Sequence, residues 1–241
     1  MSRTPRPKLG TLSTMSIGIG GMVGGAIFAV TGLTVEIAKG AAPFAFLVAG
    51  VVALLTCYSY LKLTLAFPGE GGTVDFLNRA FGNGILTGAA NILLLFSYIV
   101  LVAIYAYAFG RYGADLFPPQ ARPFWQHALS SGVIVGLAAL NILATRQVIR
   151  SENALNAIKL LLLGGFVVTG LLMPLDWSRL DPLDAVTPTA LVAVAMLVFL
   201  NYEGFELIAN ASKEVADPER TLPIAYFGSV LIVIALYALI L

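Results

Sequence analysis

Ser16-Ile-Gly-Ile-Gly-Gly-Met-Val-Gly-Gly-Ala-Ile-Phe28 is the stretch on which the reading of this chain turns. It carries no charge, yet five of the eight residues from Gly18 to Gly25 are glycine. In a water-exposed helix each glycine costs about 1 kcal/mol relative to alanine. Two explanations account for so many. Gly20/Gly24 and Gly21/Gly25 form small-xxx-small pairs that let a neighbouring membrane helix approach closely. Alternatively, the consecutive glycines let the helix unwind near mid-membrane, and the freed amides and dipole of the following half-helix attract an anionic group.

The surrounding composition fixes the solvent. Apolar residues make up 59% of the chain, charged residues 11%, and the mean hydropathy is +0.89. Soluble domains lie near about 45–50% and about 25%, so the excess apolar surface here faces lipid. A net charge of +1, with basic residues scattered through the loops, excludes a nucleic-acid partner. Cys57 and His127 are each the only residue of their type, so neither an intrachain disulfide nor a thiolate or histidine metal site is expected, and no cofactor motif is present.

Crossing a bilayer takes about 20 apolar residues. The long uncharged runs predict seven spans near residues 12–37, 41–66, 82–114, 125–145, 152–173, 188–211 and 221–241 within a single transmembrane domain, 1–241. They lack the alternation of barrel strands, so the fold class is an all-α integral membrane bundle. Alternate loops carry Arg3, Arg6, Lys8, Lys62, Arg79, Arg146, Arg150, Lys213 and Arg220, whereas the opposite set carries Lys39, Arg111, Arg122 and Arg179. The excess of basic residues on the first set predicts a cytoplasmic N-terminus.

The sixth run reads Met196-Leu-Val-Phe-Leu-Asn-Tyr-Glu-Gly-Phe-Glu-Leu-Ile-Ala-Asn210. Carboxylates within a membrane are costly unless paired, protonated or hydrated, which marks Glu203 and Glu206 as functional candidates. The competing reading ends the span near Tyr202 and leaves both in a loop, although Phe205, Leu207, Ile208 and Ala209 continue the apolar pattern. Two interrupted spans, five apart in order, are the pattern of a transporter built from inverted repeats.

Three motifs carry a resemblance. Gly18-Ile-Gly-Gly-Met-Val-Gly-Gly-Ala-Ile-Phe28 is similar to the first span of the amino acid–polyamine–organocation (APC) permeases. Phe67-Pro-Gly-Glu-Gly-Gly-Thr-Val-Asp-Phe76, with Phe81-Gly82, resembles their segment between spans two and three. Tyr202-Glu-Gly-Phe-Glu206, followed by Ser212-Lys-Glu-Val-Ala-Asp-Pro-Glu-Arg-Thr-Leu-Pro-Ile-Ala225, resembles their sixth span and its tail. The resemblance implies a five-plus-five inverted repeat with substrate between broken spans one and six. It puts the substrate carboxylate at amides around Gly21, Gly24, Gly25 and Ala26. The ammonium falls to carbonyls near Phe199, Leu200 and Tyr202, beside Gly204. Ala26 is a departure, because family members often carry glycine there.

Lys159 is a single cation in the fifth run, about two turns past Glu152. Some family members resemble this arrangement, with a lysine ammonium where related transporters hold sodium. Burial lowers a lysine pKa and suits proton exchange; the alternative is a side chain that snorkels to the headgroups. Lys159, Glu203 and Glu206 are thus the coupling candidates. Glu70 and Asp75 are expected to order a loop or gate.

The functional expectation is a permease, not an enzyme. It is a secondary transporter of amino acids or related amines in the plasma membrane, with proton coupling through the candidates above. Seven spans fall short of a ten-span core, so the other expectation is a truncated, non-transporting fragment or assembly module. Such a piece would be completed by missing C-terminal spans or another protomer.

Overall fold

The computed structural model describes residues 8–143, 145–173 and 186–241. Among the charges used for orientation, Arg3, Arg6 and Arg179 lie outside the described residues, as do the side chains of Arg146 and Arg150; so does the side chain of Glu152, the residue two turns before Lys159. In order, the helices are α1 (Thr11–Met22), α2 (Ala26–Ala38), α3 (Ala42–Ala66), α4 (Gly72–Phe81), α5 (Ile85–Ala114), α6 (Arg122–Leu143), α7 (Thr145–Leu172), α8 (Pro188–Val198), α9 (Leu207–Asn210) and α10 (Pro218–Ile240). Single 3-10 turns lie at Lys39–Ala41, Pro119–Ala121, Phe199–Tyr202 and Ser212–Glu214. Four stretches among the described residues are long and apolar enough to cross a membrane: Ala26–Ala66, Ile85–Ala114, Pro188–Asn210 and Pro218–Ile240. The chain is an all-α, multi-pass membrane protein.

The first apolar run is two helices, not one. At 1.5 Å per residue α1 extends only about 18 Å, too short to cross alone; it stops at Met22, and α2 starts at Ala26. The sixth run is likewise divided into α8, a 3-10 turn and the short α9.

Packing follows residue size. One face of α3 presents Ala42, Ala45, Ala49, Ala53 and Cys57, all buried, at helical spacing. Small side chains let the backbones of α10 and α8 approach closely, the main source of helix association when lipid removes the hydrophobic drive. From α10, Leu222, Tyr226, Val230, Val233 and Tyr237 fill the seam. The outward faces of α5 remain apolar and exposed, as with Leu93, Phe96 and Ile99, as lipid contact requires. The α5–α6 hairpin turns where Phe117 stacks on Trp125 at 4.1 Å, and Asp115 lies 3.4 Å from both Arg111 and Arg122.

At the end bearing Lys8, Arg79 and Lys213, three loops are stitched together. Leu9 N donates to Glu214 O (2.7 Å), and Ala216 N donates to Leu9 O (2.8 Å). The buried Ser212 hydroxyl accepts from Gly69 N (3.1 Å) and donates to Gly69 O (3.0 Å). Asp75 accepts from Gly71 N at 3.2 Å, so it orders the Gly-rich loop that precedes α4.

Ala49→Leu is expected to overpack the α3 seam and lower stability by about 1–3 kcal/mol. Val51→Leu on the exposed face of the same helix should change little; thermal unfolding in detergent compares the two.

Candidate functional site: the two helix breaks

The first break is an accounting problem in backbone groups, which have no water to turn to inside a bilayer. Val23 N closes the last turn of α1 on Ile19 O (2.8 Å), but Gly24 N turns to Met22 O (2.8 Å) instead of reaching Gly20 O. The released Gly20 O accepts from Lys159 Nζ at 3.3 Å. The α7 ammonium therefore meets the backbone of span one, beside a cavity of about 240 Å3 lined by Ser16, Ile19, Gly20, Val23 and Ala157. The helix resumes when Ala29 N bonds Gly25 O (3.0 Å). The first amides of α2, beginning at Ala26, thereby have no earlier turn to bond.

The second break has its own closure. Past the 3-10 turn Phe199–Tyr202, Glu203 is extended (φ −65°, ψ 136°) and Gly204 has φ +131°, a conformation closed to other residues. The Glu206 carboxylate folds back to accept from Gly204 N at 2.7 Å. Leu207 N and Ile208 N then restart helical bonding on Gly204 O (3.2 Å) and Phe205 O (3.1 Å). Glu203 is half-buried, within electrostatic range of Glu206, and Tyr60, Tyr98 and Tyr105 lie within range of both.

The two breaks touch backbone to backbone. A methyl added at Gly21 would stand 2.7 Å from Gly204 O and 2.9 Å from its Cα, and one added at Gly204 would strike Gly21 C and Met22 N. The glycines of span one divide between the two explanations of their number. Gly18 is a packing glycine, since a Cβ there would lie 2.8 Å from Ser229 Oγ and from Ile208 Cδ1. Gly21 is the contact with span six. Gly24 and Gly25 form the break, and a Cβ on Gly25 would sit 3.3 Å from the Tyr105 ring.

The remaining candidates are distributed around this contact. Ala26 is buried at the start of α2. Phe199 and Leu200 are half-buried in the 3-10 turn; Leu200 reaches a second cavity, about 440 Å3, between α2 and α5. Tyr202 turns its side chain into the bundle, where its hydroxyl donates to Phe46 O at 3.0 Å. Sequence reasoning registered Asn201 only as a polar residue within the sixth run and overlooked two tyrosines here. Tyr105 walls the Gly24–Gly25 segment, Asn201 is fully buried in the break, and Tyr237 reaches both breaks from α10. A tyrosine inside an apolar run carries no signal of its target; only the unusual polarity of Asn201 was visible beforehand.

The sequence pattern of the amino acid permease family matches residues 9–241, which include both breaks and every residue around them. The chain belongs to that family. Its residues correspond to the N-terminal part of an APC superfamily permease, a family whose named relatives are transporters rather than enzymes. Similar proteins include an uncharacterized protein of Methanocaldococcus jannaschii, 33% identical over 230 residues, covering 95% of this chain and 53% of the relative. An inner membrane transport protein of Escherichia coli is 32% identical over 234 residues, with 95% and 53% covered. A chloroplastic cationic amino acid transporter of Arabidopsis thaliana is 29% identical over 252 residues, with 95% and 43% covered. The chain thus spans about half the length of the relatives it matches.

Gly204→Ala should be the most damaging single methyl addition along the two breaks, because it combines a positive φ with a backbone collision; a loss of about 1–3 kcal/mol or more is expected. Gly88→Ala, which meets open space, serves as the control in the same detergent melts. Equal melting temperatures would refute the close contact.

Proposed function

We propose that this chain carries the substrate-binding spans of a secondary transporter for amino acids or related amines, with the substrate held between the breaks of spans one and six. The observation that carries this reading is the meeting of the two breaks at Gly21 and Gly204. It puts the N-terminal end of α2 and the non-helical backbone of residues 199–206 at one locus, the arrangement that suits a zwitterion. Amides at Gly24, Gly25 and Ala26 take the carboxylate, assisted by the helix dipole. Carbonyls near Phe199, Leu200 and Tyr202 take the ammonium, and Gly21 and Gly204 let the two backbones close on each other beside it. The amino acid permease family and the relative named as a cationic amino acid transporter support this substrate class.

Lys159, Glu203 and Glu206 are the proposed coupling groups. Lys159 is suited to the task because its ammonium bonds a carbonyl whose helical donor, Gly24 N, is withdrawn by the break; a change of protonation there would act directly on the break. The proposed setting is the plasma membrane, with a cytoplasmic N-terminus by the distribution of basic residues. The spans would form part of a five-plus-five inverted repeat within one domain. Because the relatives are about twice as long, these spans are read as one part of the transporting unit, completed by further spans or a partner protomer.

Proteoliposomes of the complete protein should show saturable, gradient-driven uptake from a panel of labelled amino acids and amines; absence of flux across the panel refutes the assignment. Gly25→Leu should push into Tyr105 and abolish substrate-induced thermal stabilisation without affecting membrane insertion. Lys159→Ala should flatten the pH dependence of uptake, and a retained wild-type profile would remove Lys159 from coupling.

A further inference from the structure

Tyr237 stands near the end of α10, far in sequence from either break, yet its hydroxyl lies 2.8 Å from Met22 O and 3.0 Å from Asn201 O. The residue is fully buried, its ring edge-on to Phe46 (5.6 Å) and to Tyr202 (5.4 Å). Both carbonyls lie where helical bonding fails: Met22 ends α1 and Asn201 sits in the 3-10 turn of span six. One side chain from a third helix thus serves both discontinuities.

The donors do not match the acceptors. A phenol has one proton, and here two carbonyls compete for it. Met22 O retains a second donor, Gly24 N at 2.8 Å. Asn201 is poorer: its Nδ2 donates to Val198 O at 3.1 Å, while its buried Oδ1 has no hydrogen-bond partner among the described residues. A buried acceptor without a donor is expensive, and in a bilayer no bulk water relieves it. The Tyr237 proton is therefore held between two acceptors, and loss of the hydroxyl would leave Met22 O with Gly24 N but Asn201 with both of its oxygens short of donors.

We propose that Tyr237 is a positioning residue that couples the two breaks. Its hydroxyl holds Met22 O and Asn201 O at a fixed separation, so that the unwound segments of spans one and six open and close together. The single proton is shared between them, bonding more strongly to whichever carbonyl moves closer. The consequence for transport rests on the function proposed above; the coupling of the two segments does not.

Tyr237→Phe removes only the oxygen and keeps the ring on Phe46 and Tyr202. Amide hydrogen exchange of the complete protein in nanodiscs should become about tenfold faster in the segments 23–26 and 203–206 together, the factor expected for one lost buried hydrogen bond. Exchange in α3 and α5 should be unchanged. Acceleration at one break only, or at neither, overturns the coupling. Phe46→Leu loosens the ring packing but keeps the hydroxyl; if it reproduces the joint acceleration, packing is responsible and the proposal fails. Should Tyr237→Phe not fold, 3,5-difluorotyrosine at this position, a stronger donor, is expected to slow exchange at both breaks, and an unchanged rate refutes the role. In uptake, Tyr237→Phe should raise KM about tenfold with Vmax nearly constant; a fall in Vmax alone refutes positioning. If the wild-type protein carries no substrate, the transport reading fails while the exchange measurement still decides the role of Tyr237.

Discussion

A carbonyl or amide inside a bilayer must find its partner within the protein, and this constraint shapes the centre of the molecule. Interrupting α1 releases Gly20 O and Met22 O; interrupting span six leaves Asn201 O and Gly204 N outside any regular helix. Each is served by a side chain: Lys159 for Gly20, Tyr237 for Met22 and Asn201, and Glu206 for Gly204. Charged and phenolic groups inside apolar helices are costly when they have nothing to bond. Here three of them are bonded to backbone that the breaks expose, so the breaks and the intramembrane polar residues account for each other.

The same economy explains the glycines. A stretch with five of them would be a poor helix on propensity alone, yet they perform separable tasks. Gly18 admits Ser229 and Ile208, Gly21 admits the backbone of Gly204, and Gly24 and Gly25 form the interruption beside Tyr105. Close approach and unwinding were alternatives on paper. They coexist because the break in span one lies within a turn of the place where span six crosses it.

Around this centre the scaffold is conventional for a membrane protein. A stripe of alanines on α3 brings α8 and α10 close, and the loops at one end are joined by the Leu9 and Ser212 hydrogen bonds. These contacts fix where α8 and α10 stand. Their positions in turn deliver Asn201 and Tyr237 to the breaks.

By itself the sequence determined the solvent, the helical class, the family resemblance and the two segments that depart from regular helix, because each depends on local composition: apolar length, glycine clustering, and charge within an apolar run. Gly204 beside Glu203 and Glu206 was legible for that reason, and so was Lys159 as an anomaly. The tertiary structure alone decided what these groups touch. That Gly21 meets Gly204, that Lys159 bonds Gly20 O, and that Tyr237 joins Met22 to Asn201 are relations across 36 to 215 residues of chain. No periodicity records them, since a helix pattern states which face is apolar and leaves open which neighbour that face will meet. Tyr237 is the clearest case: in sequence it is one more aromatic residue in a lipid-compatible run, and only the packing of α10 against α1 and α3 turns its hydroxyl into a partner for both breaks.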